Sequence, residues 1–195
     1  MPSFLMPNFA TWDEERQWAV INLPTGWPNL DRIGFSVDDV TSRHTPVYNC
    51  IAYAAKDDTQ PWWPVPEWLL QLPGARYYHW PPGLPRNDPA TVENFFQAFS
   101  LLGYKRCKTG KRELGFEKVA IYVDANEEPK HMARELGDGV WFSKLGDCQD
   151  IRHHALDGVE TVEYGRARYF MRKRLEGICR WVIIKNRLAK ILTVK

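Results

Sequence analysis

The chain has 195 residues, 26 of them Lys or Arg and 24 Asp or Glu, for a formal net charge of +2. Hydrophobic residues make up 44% and aromatic ones 13%, enough to bury a sizeable core and to exclude disorder throughout. The small net charge, with no stacking platform set in a basic stripe, argues against nucleic acid as a partner. No run approaches the roughly 18 unbroken apolar residues of a membrane span.

Residues 1–46 are rich in Pro, Trp and Asp and read as an irregular N-terminal arm, with one short helix predicted from Trp12 to Val20. A second helix is expected over 49–56, opening just after Pro46 with the alanine-rich run Asn49-Cys50-Ile51-Ala52-Tyr53-Ala54-Ala55. Residues 57–90 form a long connection dense in Pro and Trp, including Trp62, Trp63, Trp68 and Trp80; a loop of that length is usually functional or a lid. Val92, Phe95, Phe96, Phe99 and Leu102 then recur at helical spacing, with Thr91 or Asp88 as cap and Gly103 as stop. The period changes at Val119–Val123, a β-branched run fit for a buried strand. Asp124–Pro129 is a turn, 130–136 the returning strand, Gly137–Gly139 a tight turn, and Val140–Leu145 a third strand closed by Gly146. Arg166–Met171 supplies a fourth. The order is α+β, an N-terminal helix packed on an antiparallel sheet. The core spans 47–172, and 173–195 is a basic amphipathic tail that would either pack on the core, lie on an anionic membrane or dock a partner.

Four cysteines are present, Cys50, Cys107, Cys148 and Cys179. None forms a CxxC pair, which speaks against a zinc knuckle or a thioredoxin-type motif. Residues 1–15 lack the basic start and apolar run of a signal peptide, so a cytoplasmic protein with free thiols is expected. Cys107 and Cys148 have no base nearby in sequence. Cys50 stands at a predicted helix N-terminus, where unpaired N–H groups and the helix dipole favour a thiolate. His131, at the start of the second strand, is the candidate base. Ser143, Asp147 and Asp150 are the candidates for orienting its ring. Asn49, His44 and Thr45 are available beside the Cys50 N–H as an oxyanion hole. Trp62, Trp63 and Trp80 either bind a substrate chain or pack. Asp150-Ile-Arg-His153-His154 suggests a metal, but adjacent histidines on a strand face opposite ways, so neither a metal nor a cofactor is expected.

Cys50-Ile-Ala-Tyr-Ala-Ala55 followed by His131 and Ser143-Lys-Leu-Gly146 resembles the papain-like cysteine peptidase superfamily, with its Cys-Trp-Ala-Phe-Ser-Ala and Asn-Ser-Trp-Gly motifs. The block is also similar to uncharacterised bacterial proteins with an Asn-Cys-x-Ala-x-Ala motif. The resemblance covers roughly residues 44–171 and implies a papain-like fold, with Ser143 where the orienting Asn would stand. The Cys-Gly-Ser/Ala lead-in is absent and the Cys-to-His spacing is short of papain's own. The implied activity is a cysteine hydrolase or acyltransferase acting on a protein or peptide amide: a peptidase, deamidase or transglutaminase. The alternative is an inactive scaffold that holds a protein partner on its Trp/Pro surface.

Overall fold

The computed structural model describes residues 5–73 and 77–175; the predicted tail over 173–195 and Cys179 lie almost wholly outside them. Helix α1, Trp12–Gly26, starts from a reciprocal cap in which the Thr11 side chain accepts from the Glu14 N–H while the Glu14 carboxylate accepts from the Thr11 N–H. It continues past Val20 because Ala19, Leu23 and, just beyond its end, Trp27 and Leu30 are buried on one side. A short α2, Asn29–Arg32, follows, then α3, Cys50–Ala54; α4, Glu67–Leu70; and α5, Val92–Leu101. The α5 stripe of Phe95, Phe96 and Phe99 is buried as its spacing predicts.

Six antiparallel strands make one sheet: β1, Lys105–Cys107; β2, Phe116–Val123; β3, Pro129–Glu135; β4, Trp141–Lys144; β5, Asp150–His153; and β6, Arg166–Arg174. Their order across the sheet is β1-β6-β2-β3-β4-β5. β2 is central and buried on both faces, with side chains alternating between two apolar layers. Val119, Ile121 and Val123 enter the layer built by α3, α5 and the Trp/Pro-rich segment. Ala120 and Tyr122 enter the layer built by α1, α2 and residues around Val159 and Tyr164. The segment before residue 46 therefore contributes much of one core layer instead of lying as an irregular arm.

The papain-like fold expected from the motifs is not what the chain adopts. The molecule is an open six-stranded antiparallel sheet with few, short helices, α+β only in the broad sense. The segment opened by Cys50 is five residues long, not a nucleophile helix. Its termination has a local cause. Lys56 takes a left-handed conformation (φ 64°), the Asp57 N–H donates to the Ala52 carbonyl, and the Lys56 N–H donates to the Tyr53 carbonyl. That pattern closes the last carbonyls and turns the chain away. The Lys56 ammonium then reaches the buried Glu117 carboxylate at 2.5 Å, which also accepts from the Tyr104 hydroxyl at 3.0 Å. Among the described residues no helix is long and apolar enough to cross a membrane.

Candidate functional site

β3 and β4 pair at Glu135–Trp141, Arg134–Phe142 and Ala133–Ser143, and then stop. At that point α3 packs in. Met132 is next along β3, and against the effect of burial its N–H, with those of Cys50 and Ile51, pulls the Cys50 thiol down. The turn that carries it is fixed by Asn49. The Asn49 Oδ1 accepts from the Ala52 N–H (3.1 Å) and from the Trp62 N–H (3.1 Å), and its Nδ2 donates to the Trp62 carbonyl (2.8 Å). Asn49 is therefore a cap and clip, with its oxygen and one of its two amide hydrogens engaged in holding the turn. Asn49→Ala removes the cap and leaves Trp62 backbone groups unpaired, so it should cost about 2 kcal/mol. For a chain of this size that is a drop of about 4–8 °C in Tm by thermal unfolding.

The thiol does not behave as the sequence suggests. Cys50 is only 5% exposed. Burial pushes its thiol up to about 11, against the pull of the three N–H groups and the nearby Lys144 charge. A five-residue helix has little dipole to offer, and loss of solvent outweighs it. Lys144 is itself fully buried on β4, and burial holds its ammonium below the ordinary range despite the charges of Asp150, Cys148, Asp147 and Cys50. Its Nζ donates to the Cys148 carbonyl.

His131 lies on β3 immediately before Met132, its side chain on the other face of the strand, among Tyr122 and Tyr164. The Tyr164 ring stacks on the imidazole at 4.3 Å and 13°, and Tyr122, its cross-strand partner, meets it edge-on at 5.1 Å. The ring is fully buried, and burial followed by the His153 charge holds its pKa well below the usual histidine range. His131 Nε2 is 3.0 Å from the Ser143 Oγ, and that oxygen is 2.9 Å from His153 Nε2. His153 Nδ1 is 2.7 Å from the Ala155 carbonyl oxygen. His131 Nδ1 is buried and makes no hydrogen bond.

Of the proposed orienting residues, Ser143 alone touches His131. Asp147 is exposed in the turn after β4. Asp150 accepts from the Tyr48 hydroxyl at 2.6 Å. Burial raises the Asp150 carboxyl, although Tyr48 and Lys144 oppose the shift. His44 is also not at the sulfur. Its Nδ1 and N–H both engage Glu15, at 2.7 and 2.6 Å, and that buried carboxylate takes Gln149 Nε2 (2.9 Å) and Arg43 (3.2 Å) as well.

Two of the three tryptophans singled out in the sequence belong to the core. Trp62 and Trp80 are buried, their indole N–H groups donating to Asp57 and to the Pro85 carbonyl. Trp63 packs edge-on against Phe95 at 5.5 Å. His153 is the residue whose role the sequence conceals. Its strand, β5, is too polar to read as buried, whereas exposed His154 points away as alternation requires. Among the described residues no group of three His, Cys, Asp or Glu side chains forms a metal site.

No curated protein and no solved structure matches the chain. One family model does, over residues 39–172, which contain every residue of the sulfur and imidazole cluster. That match spans more than half of the sequence, and the chain belongs to the family described as the domain of unknown function DUF7689.

Proposed function

We propose that the protein is a cysteine-dependent amide hydrolase or acyltransferase in which Cys50 is the nucleophile and His131 the base. The observation that carries this reading is a buried Cys50 sulfur at the start of α3, beside Met132, with a buried His131 next to Met132 on β3 whose Nδ1 makes no hydrogen bond. At rest the two groups lie in opposite layers of the sheet, so the reaction requires α3 or the end of β3 to shift. The order of Cys, His and orienting hydroxyl along the chain, like that of the peptidases it resembles, supports the same reading. Burial keeps both groups neutral at rest, so the pair starts as thiol and imidazole.

His131 Nδ1 takes the thiol proton as the sulfur attacks the amide carbonyl carbon. The C=O electron pair moves onto oxygen, and backbone N–H groups at the start of α3 face that charge. Collapse breaks the C–N bond, the His131 proton goes to the leaving amine, and a thioester remains on Cys50. Water then yields the acid, or an amine yields a new amide. Because Cys50 is closed from solvent, the segments over the sulfur must open for substrate. Three thiols among the described residues, Cys50, Cys107 and Cys148, are free, which suits a reducing cytoplasmic setting. The substrate is a protein or peptide amide: a backbone bond, a glutamine side chain or an isopeptide link.

The test is alkylation with iodoacetamide or a peptide epoxide at neutral pH, with the labelled site mapped by peptide mass. Label should fall on Cys50, and His131→Ala should slow it about 100-fold, the lower end of what a positioned base contributes. Label on Cys107 or Cys148 with Cys50 untouched overturns the assignment.

A further inference from the structure

We infer that His153 is a positioning residue for His131, acting through the Ser143 hydroxyl, and that it fixes which ring nitrogen of His131 carries the proton; the inference rests on the reading of Cys50 and His131 as nucleophile and base. The three side chains come from three adjacent strands: β3, β4 and β5. Ser143 opposes Ala133 on one side and Ile151 on the other. His131 and His153 stand two residues along from those partners, on the same face, so the contacts run diagonally across the sheet. Exposure of the three is 0%, 0% and 1%, and no solvent competes for their hydrogen bonds.

Proton counting along this line has one solution with neutral rings. The Ala155 carbonyl can only accept, so His153 Nδ1 carries a hydrogen. His153 Nε2 is then a lone pair, and the Ser143 hydroxyl donates its single proton to it. Ser143 has no proton left for His131, so the 3.0 Å contact on its other side must run from His131 Nε2–H to Oγ. That leaves His131 Nδ1 bare, the form a base needs. Without His153, the hydroxyl can turn and donate to His131 Nε2, which moves the ring proton to Nδ1 and removes the base. In the Ser-His-Asp triad a wrong tautomer of the base lowers kcat about 10⁴-fold.

The experiment is nitrogen-15 NMR of histidine-labelled protein near pH 7.5, where one-bond and multiple-bond couplings distinguish the two tautomers. The intact protein should show His131 protonated at Nε2 and His153 at Nδ1. His153→Ala should move a substantial fraction of His131 to the Nδ1–H form and slow Cys50 alkylation at least 10-fold. His153→Gln, whose amide oxygen can accept from Ser143, should restore the Nε2–H form and most of the rate. His131 protonated at Nδ1 in the intact protein, or a His131 tautomer indifferent to His153→Ala, overturns the relay. The measurement on the intact protein needs no variant to fold. A correct tautomer pattern with label outside Cys50 would retain the relay and refute the enzyme, whereas Cys50 labelling with the wrong tautomer would do the reverse.

Discussion

Between pH 7 and pH 4 His153 alone should lower the unfolding free energy by about 3 kcal/mol. His153 is held neutral by burial, with its pKa pushed down from 6.5 to about 4. Above pH 6.5 the imidazole is neutral both folded and unfolded, and pH has no leverage on it. Below 6.5 the unfolded chain takes up a proton that the folded one refuses, so stability declines until the folded pKa is reached. A span from 6.5 to about 4, at 1.36 kcal/mol per unit, gives the stated loss. His131, shifted in the same direction by burial, adds to it. Asp150 and Glu135 act oppositely, because burial raises their carboxyls and the folded state binds their protons first. Their protonation offsets part of the loss as pH falls, so the quantity to compare is the decline of the unmodified protein against that of His153→Gln between pH 6.5 and 4. Urea titrations at half-unit steps of pH would measure it, and His153→Gln should make the decline shallower, leaving the part due to His131. Equal declines in the two proteins over that interval would mean that His153 is hydrated in the native state.

What the sequence discloses about this molecule is what is encoded locally. The Val119–Val123 run declares a buried strand because β-branched residues on one face and Ala120 and Tyr122 on the other make both faces apolar. Phe95, Phe96 and Phe99 declare a helix by their spacing. His131 and Ser143 become neighbours because a short turn between two strands fixes their register. What the sequence conceals depends on distant partners. Lys105-Arg106-Cys107 does not look like a strand, yet it closes one sheet edge by pairing with Phe170, Met171 and Arg172. Asp150–His153 is polar, yet it closes the other, with Lys144 opposite Asp150. Glu15 reads as an ordinary acidic residue of a helix's first turn. It is fully buried because Arg43, His44 and Gln149, far along the chain, satisfy its oxygens. Cys50 illustrates the same limit. Its helix-start position is local and predicts a lowered pKa, whereas the burial that raises it is supplied by segments from across the chain. The five-residue length of α3 is set by Lys56, whose left-handed backbone is compensated by a salt bridge to Glu117, 61 residues on.

Gly165→Ala should cost about 4 kcal/mol, more than any other single methyl added at a described glycine. Gly165 follows Tyr164, the residue whose ring covers His131, and leads into β6. Its φ is +74°, a conformation that costs an L-residue about 1–2 kcal/mol. A Cβ there would lie 2.0 Å from the Val123 carbonyl oxygen, 2.3 Å from its carbon and 2.7 Å from the Asp124 nitrogen. These are backbone atoms at the end of the central strand, so no side chain can swing aside. Either β2 and β6 part where Val123 pairs with Arg166, or the Thr161–Gly165 turn opens and its 2.8 Å bond from the Gly165 N–H to the Thr161 carbonyl is lost. Overpacking of this kind typically costs 1–3 kcal/mol beyond the backbone strain. Gly83→Ala is the matched control, since its φ is +79° but nothing lies within 4 Å of the added carbon. It should lose only about 1 kcal/mol in the same chemical denaturation. The difference between the two variants isolates the close approach that seats Tyr164 against His131. If they unfold at the same denaturant concentration, the turn does not rest on the end of β2, and the stacked cover over the imidazole loses its support.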